Sequence, residues 1–225
     1  MTAPTPPKTA PAATLQSLQI GHVITEGDAS TEDPLKRQWT TAFYKTSITG
    51  PIRLTRLGLA GDAVSDRRHH GGTEKAALCY AAAHYDAWQH EHPTLKMGPG
   101  GFAENLTIAE CQEQTVCIGD RYGINDCRIE ISQPRQPCWK ISRRWGIKTM
   151  TQRVTQTGRT GWYLRVLTEG TIDVGNQMEL LERPNPSWPI ARANDILFGR
   201  EANRMAIHEL MNLPELSHEW KQAIG

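Results

Sequence analysis

Between Leu15 and Leu181 the chain is cut into short β-type segments: LQSLQIGHVI, SITGPIRLTRLGL, LTIAE, TVCIGDRYGI, CRIEIS, WYLRVLTEG and QMELLE. Each is a few residues long and is punctuated by Gly, Pro, Asn or Asp. Many short strands at such spacing predict a closed or nearly closed β-barrel rather than alternating βαβ units, in a mainly β protein with added helices, an α+β fold. One helix is predicted within this region. Leu78, Ala81, Tyr85 and Trp88 fall at steps of three and four, an apolar stripe running from about Glu74 to His92 that Pro93 ends.

The two ends read differently. Residues 1–14 are mostly Pro, Thr and Ala with almost no large apolar side chains, and are expected to be a disordered tail. After Pro184, Pro186 and Pro189 the pattern turns helical. Ile190, Ala193 and Leu197 form a stripe ended by Gly199, a second helix is expected from Arg200 to Met211, and Leu216, Trp220 and Ile224 mark a third. The chain is therefore read as a barrel over 15–185 followed by a three-helix unit over 188–225. Three short amphipathic helices are too small to be stable alone, so they should pack on the barrel or on a partner.

Charge and cysteine usage narrow the function. With 25 basic and 24 acidic residues in 225, the formal charge is +1, which gives no global field for gripping a polyanion; nucleic acid is not an expected partner. The cysteines Cys79, Cys111, Cys117, Cys127 and Cys138 are odd in number and contain no Cys-x-x-Cys pair, which argues against a disulfide or zinc framework and for a reducing compartment. No apolar run approaches a membrane span and the first residues carry no apolar signal core, so no membrane association is expected and the cytoplasm is the expected location.

Cys138 stands apart from the other cysteines. It lies in QPRQPCWK, Gln133 to Lys140, between a proline and a tryptophan, on a stiff loop just past the strand CRIEIS. Two cations close by in sequence, Arg135 and Lys140, favour the anionic sulfur that attacks electrophiles or binds a soft metal. An isolated cysteine is more often a small buried apolar residue; the stiff loop and the cations make Cys138 the candidate reactive group.

A second candidate is RRHHGGTEK, Arg67 to Lys75, at the start of the predicted helix. Lys75 in a first helical turn is electrostatically backwards, since the positive end of the helix dipole prefers an acid, and becomes sensible if an anion docks there. Free backbone N–H groups, the Gly71–Gly72 pair, Lys75 and His70 would together cradle a phosphate or another oxyanion. Against that stand a plain glycine turn and, more strongly for His69 than for His70, a solvated histidine. In GGFAENLTI, Asn105 is by itself a turn residue. In TGRTGWYLRV, alternation places Trp162 and Leu164 on one face and Tyr163 and Arg165 on the other, with Arg159 at the entry; burial habits favour core aromatics over a stacking platform.

Taken in order, GLAGD, HGGTEKA, ENLT, IGD, SQPRQPCWK and TGRTGWYLRV resemble the MOSC domain family, and within it the YiiM-like branch with a C-terminal three-helix domain. The resemblance covers about residues 15–225. Two departures stand out: Ala103 occupies a position usually glycine before the Glu-Asn pair, and His69 crowds the His-Gly-Gly motif. The resemblance implies a MOSC-type β-barrel that binds the molybdenum cofactor (molybdopterin), with Cys138 as metal ligand and catalytic residue, and His70, Gly71, Gly72, Lys75, Asn105, Arg135 and Arg159 as cofactor-binding residues. It further implies reduction of N-hydroxylated compounds, base analogues such as 6-N-hydroxylaminopurine among them, as a detoxification. One thiolate cannot hold a bare metal ion securely, so the cofactor's own dithiolene would supply the other sulfurs. The chain has no Gly-x-Gly-x-x-Gly fingerprint and no cluster-type cysteine spacing, so electrons would come from a separate flavin-containing reductase. Two other functions stay open: a carrier that binds the cofactor without turnover, and a sulfur-transfer protein with a persulfide on Cys138.

Overall fold

The computed structural model describes residues 13–224. The first strand, β1 (Ala13–Gly21), already includes Ala13 and Thr14, the last two residues of the expected tail; residues 1–12 lie outside the described residues. Ala13 and Thr14 pair with Met178 and Gln177, and this pairing closes the barrel. Short elements follow: β2 (Ile24–Glu26), β3 (Trp39–Thr41), β4 (Lys45–Ser47), β5 (Ile52–Thr55), β6 (Gly58–Leu59), β7 (Ala77–Ala81), helix α1 (Ala83–Glu91), β8 (Leu106–Ala109), β9 (Arg121–Ile124) and β10 (Cys127–Pro134). After β10 come α2 (Lys140–Trp145), α3 (Met150–Thr157), β11 (Trp162–Thr168), β12 (Gly170–Ile172) and β13 (Gln177–Glu182). The chain ends in α4 (Ile190–Leu197), α5 (Arg204–Met211) and α6 (His218–Ile224).

The order β13-β9-β10-β11-β7-β8-β1, returning to β13, forms the expected closed barrel, with β4 attached to the far end of β1. All its pairs are antiparallel except β7 with β8. Alternation fills the interior with Leu15, Leu18, Leu106, Ile108, Ile129, Ile131 and Leu164, all fully buried. The same core continues into the terminal helices through Ile190, Leu210, Leu216 and Trp220, so the three helices pack on the barrel. A second core of Phe43, Tyr80, Tyr85, Trp88, Phe102, Ile141, Met150 and Val154 lies beneath α1, α2 and α3.

The predicted helix from Glu74 to His92 is not one helix. Thr73–Lys75 forms a single 3-10 turn, Ala77–Ala81 is a strand buried at all five positions, and only Ala83–Glu91 is α-helical. A strand covered on both sides reads as a continuous apolar run, and followed at once by a helix it mimics helical spacing. The helices α2 and α3 had no such signal: they have 6 and 8 residues and are separated by Gly146 in the left-handed region. In TVCIGDRYGI only Arg121–Ile124 forms a strand, because the Asp120 carboxylate turns the chain by accepting the Cys117 N–H at 2.9 Å. The strand CRIEIS also runs on to Pro134, which pairs with Trp162 after a register shift between Ile131 and Gln133.

Candidate functional site

The loop after β10 is built to present Cys138. Arg135 donates its N–H to the Gly161 carbonyl at 3.0 Å, which fixes the start of the loop. The Cys138 carbonyl accepts from the Ile141 N–H at 3.1 Å and from the Thr151 hydroxyl at 2.9 Å, which fixes the end. Ile141 and Met150 are anchored in the second core, so the loop rests on packed helices. Gly161 has a φ of 76°, and a Cβ there would meet the Cys79 carbonyl at 2.4 Å; only glycine lets the facing turn come this close.

Cys138 opens onto two adjoining recesses of about 100 and about 250 Å³, which share His70, Lys75, Cys138, Lys140 and Tyr163. It is the one cysteine that is not buried. The other four are held as thiols by burial: Cys111, Cys117 and Cys127 are pushed up to about 11, and Cys79 higher still.

The cations around the sulfur are unevenly matched. Arg135 is 3% exposed, and its Nη1 is buried without a hydrogen-bond partner. No carboxylate pairs with Arg135 or with Lys140 among the described residues. Lys75, also buried, donates to the His69 carbonyl at 2.8 Å and pairs with Glu219 of α6 at 2.6 Å. Burial first, and then Lys140, Arg135 and Lys75, push His70 down to about 4 against a weaker opposing pull from Asp66, so its ring is neutral at pH 7. A depressed histidine beside an unpaired buried guanidinium marks a positive field aimed into a recess, which is the arrangement an anionic ligand would satisfy.

The opposite wall is already satisfied. Lys45 and Asp62 form a buried pair at 2.5 Å. Burial lowers the Lys45 ammonium, and Asp62 opposes that shift. Asp62 also accepts from the Gly21 N–H and the Asn105 Nδ2, both at 2.8 Å. The Asn105 Oδ1 accepts the Leu78 N–H at 3.1 Å. Asn105 therefore faces the recess with its amide engaged on protein atoms. Its neighbour Glu104 is fully buried and accepts from the Gly100 N–H at 2.7 Å, the Phe102 N–H at 3.1 Å and the Tyr85 hydroxyl at 2.5 Å. That carboxylate templates the turn in which Ala103 is held at a φ of 64°, a left-handed conformation that suits glycine.

Of the residues singled out in the sequence, the structure brings Cys138, His70, Gly71, Lys75, Asn105 and Arg135 to the recesses. Gly72 and Arg159 do not line them. Gly72, at a φ of 85°, shapes the turn behind Gly71. Arg159 instead pairs with Glu91 at 2.7 Å and lies over the Trp88 ring, tying the TGRTG turn to the end of α1. Lys75 does not sit at the N-terminus of an α-helix as expected, and the three-residue 3-10 turn that holds it has no aligned stack of peptides to oppose its charge. Sequence reasoning missed Lys45, Asp62 and Glu219. Asp62 ends the GLAGD segment, but nothing near Lys45 or Glu219 in sequence points to Cys138.

Residues 66–179 match the MOSC domain, and residues 188–224 match the YiiM-like, 3-alpha helix domain. The chain belongs to the MOSC family. It is similar to the uncharacterized protein YflK of Bacillus subtilis (strain 168), with 37% identity over 181 residues, 80% of this chain and 81% of that one. It is also similar to a protein named Reductase from Gibberella moniliformis (strain M3125 / FGSC 7600), with 35% identity over 178 residues, 78% of this chain and 32% of that longer protein. Its fold is similar to the crystal structure of YiiM from Geobacillus stearothermophilus, with a TM-score of 0.77 and 27% identity over 95% of this chain and 100% of that one. No helix among the described residues is long and apolar enough to cross a membrane.

Proposed function

We propose that this chain is a molybdenum cofactor-dependent reductase of N-hydroxylated compounds, base analogues such as 6-N-hydroxylaminopurine among them, that works in the cytoplasm and takes electrons from a separate flavin-containing reductase. The observation that carries this reading is the meeting, in one recess, of the one cysteine that is not buried with a buried arginine that lacks a partner. A soft sulfur suits a thiophilic metal, and the cations suit the phosphate of a pterin cofactor. The donor set fits a metal that brings its own ligands: no group of three or more His, Cys, Asp or Glu among the described residues could hold a bare ion, and Cys138 stands alone. The reductase name of the fungal relative points the same way.

In this reading Cys138 supplies one sulfur ligand, Arg135, Lys75 and Lys140 hold the anionic end, and neutral His70 accepts or donates a hydrogen bond beside them. Tyr163, its hydroxyl pushed up to about 12 chiefly by burial, remains a neutral donor in the same recess. Bound there, the cofactor would supply a two-electron centre able to accept an oxygen atom. The overall change is R–NHOH + 2 e⁻ + 2 H⁺ → R–NH2 + H2O. The electrons come from outside, since the chain has neither a dinucleotide fingerprint nor cluster-type cysteines.

Elemental analysis after expression in a cofactor-producing host tests the proposal. Wild type should carry molybdenum and, with an artificial low-potential donor, reduce an N-hydroxylated base. Cys138→Ser should lose both, because a hydroxyl is a harder and far less acidic ligand, while melting at nearly the temperature of cofactor-free wild type. A Cys138→Ser protein as loaded and as active as wild type would sink the assignment. Molybdenum without turnover under any donor would make the chain a cofactor carrier, and a labile extra sulfur on metal-free Cys138 would make it a sulfur-transfer protein.

A further inference from the structure

The terminal helices do more than cover the barrel. Ser217, just before α6, donates its N–H to the Ser132 carbonyl at 3.1 Å and its hydroxyl to the Gln133 side chain at 2.5 Å. Ser132 and Gln133 lie on β10, the strand that leads to Arg135 and Cys138. On the other side Trp220 is fully buried and donates its N–H to the Ser217 hydroxyl at 3.2 Å. Glu219 is therefore held between two fixed neighbours, and its side chain lines the larger recess with Cys138, His70, Lys75 and Tyr163.

The pairing with Lys75 is asymmetric. The Lys75 side chain is 8% exposed, whereas that of Glu219 is 55% exposed. The ammonium cannot leave the recess without losing the His69 carbonyl, but the carboxylate can rotate into water at little cost. Arg135 and Lys140, in the same cluster, make no such ion pair among the described residues, Asp66 being a carboxylate of the recess that acts on Lys140 only at longer range.

We propose that the three-helix unit is part of the anion site, with Glu219 as a built-in counter-ion that Lys75 exchanges for the anionic group of a ligand. Glu219 then sets how much negative charge the cluster accepts: an anion that reaches only Arg135 and Lys140 leaves the pair intact, while a more highly charged one displaces Glu219 from Lys75. This rests on the anion-site reading above but not on the identity of the metal. A resident carboxylate also explains why a buried lysine is tolerated when the recess is empty of ligand.

The experiment uses the full chain, metal-free, with inorganic phosphate and pyrophosphate as probes in isothermal titration calorimetry. Removing one negative charge next to Lys75 should tighten pyrophosphate binding by about tenfold in Glu219→Gln, a value reduced from the bare Coulomb attraction because Glu219 is half in solvent. Phosphate should gain less than pyrophosphate. Lys75→Gln should weaken pyrophosphate binding, and in the Lys75→Gln, Glu219→Gln double variant the gain should vanish, because the carboxylate acts through that lysine. Circular dichroism and a melt on each variant establish that α6 stays docked. Equal pyrophosphate affinity in wild type and folded Glu219→Gln overturns the proposal, as does a gain that survives in the double variant, or no binding to any form. Molybdenum loading is measured separately, so a failure here leaves the cofactor reading standing and the reverse also holds.

Discussion

Arg135→Met separates a binding arginine from a structural one. Arg135 is buried, its Nη1 has no partner, and no carboxylate neutralises it among the described residues. A buried charged donor left unsatisfied costs about 1–3 kcal/mol or more, and a methionine keeps most of the methylene stem that fills the space. Replacing the guanidinium should therefore stabilise the ligand-free protein by about 1–2 kcal/mol, since swapping a buried ionic group for an apolar one of similar volume is often neutral or stabilising. For a chain of this length that corresponds to a rise of about 2–8 °C in melting temperature. The same change should lower phosphate affinity by about tenfold or more, since a charge-assisted bond from a buried guanidinium is among the stronger ones. Differential scanning fluorimetry with and without phosphate reads both effects on one sample. The two curves should cross: Arg135→Met melts higher than wild type without phosphate and gains less from adding it. If the variant melts several degrees lower without phosphate and responds to it as wild type does, the guanidinium is a structural element and the positive recess has been misread.

Two other outcomes follow from the same geometry. The His70 value near 4 lies below the ordinary 6.5, so as pH falls from 6.5 the unfolded chain takes up a proton that the folded protein refuses. Stability should thus be lost between about pH 6.5 and 4, by about 1–2 kcal/mol after discounting for partial exposure, and urea midpoints against pH should show a flatter curve over that window for His70→Gln; parallel curves would mean that His70 is not depressed. Ala103→Gly should raise the melting temperature by about 2–4 °C, because relief of a left-handed alanine of about 1–2 kcal/mol exceeds the added entropy of the unfolded chain; a lower melting temperature would mean that the turn is not strained.

The barrel was legible because turn residues recur throughout Leu15 to Leu181, and a chain interrupted that often has few ways to bury its strands other than closure. The apolar stripe from Glu74 to His92 imitates one helix for a definite reason. Leu78 and Ala81 belong to a strand, Tyr85 and Trp88 to a helix, and their spacing of three and four is an accident of where the one ends and the other begins. Cys138 was legible because its loop is local: proline, cysteine, tryptophan and the two cations lie within six residues of one another in sequence. Arg159 misled for the same reason turned round, since its partner Glu91 lies on α1, and only the folded chain shows that the guanidinium is already used. Lys45 and Glu219 come to the recess from β4 and α6, separated from Cys138 by most of the barrel's connections.

The recess divides its polar residues into two kinds, and the division follows hydrogen-bond satisfaction rather than residue type. Asp62 and Asn105 line the recess and are engaged by backbone N–H groups, by Lys45 and by one another, while Glu104, behind the wall, accepts from the Gly100 N–H and the Tyr85 hydroxyl. They have little left to offer a ligand, and the energy of those bonds goes into holding β1, β7 and the Gly100 turn in register. Arg135, Lys140 and the Cys138 sulfur have unspent capacity, and they sit on the β10 to α2 loop, whose two ends are fixed by Gly161 and Thr151. Lys75 stands between the two kinds, its ammonium satisfied by a backbone carbonyl that cannot leave and a carboxylate that can. A rigid saturated wall facing a rigid unsaturated one is what preorganised binding requires: the cost of holding Arg135 and Lys140 beside Lys75, the one of the three that is paired, is met by folding, before any ligand arrives.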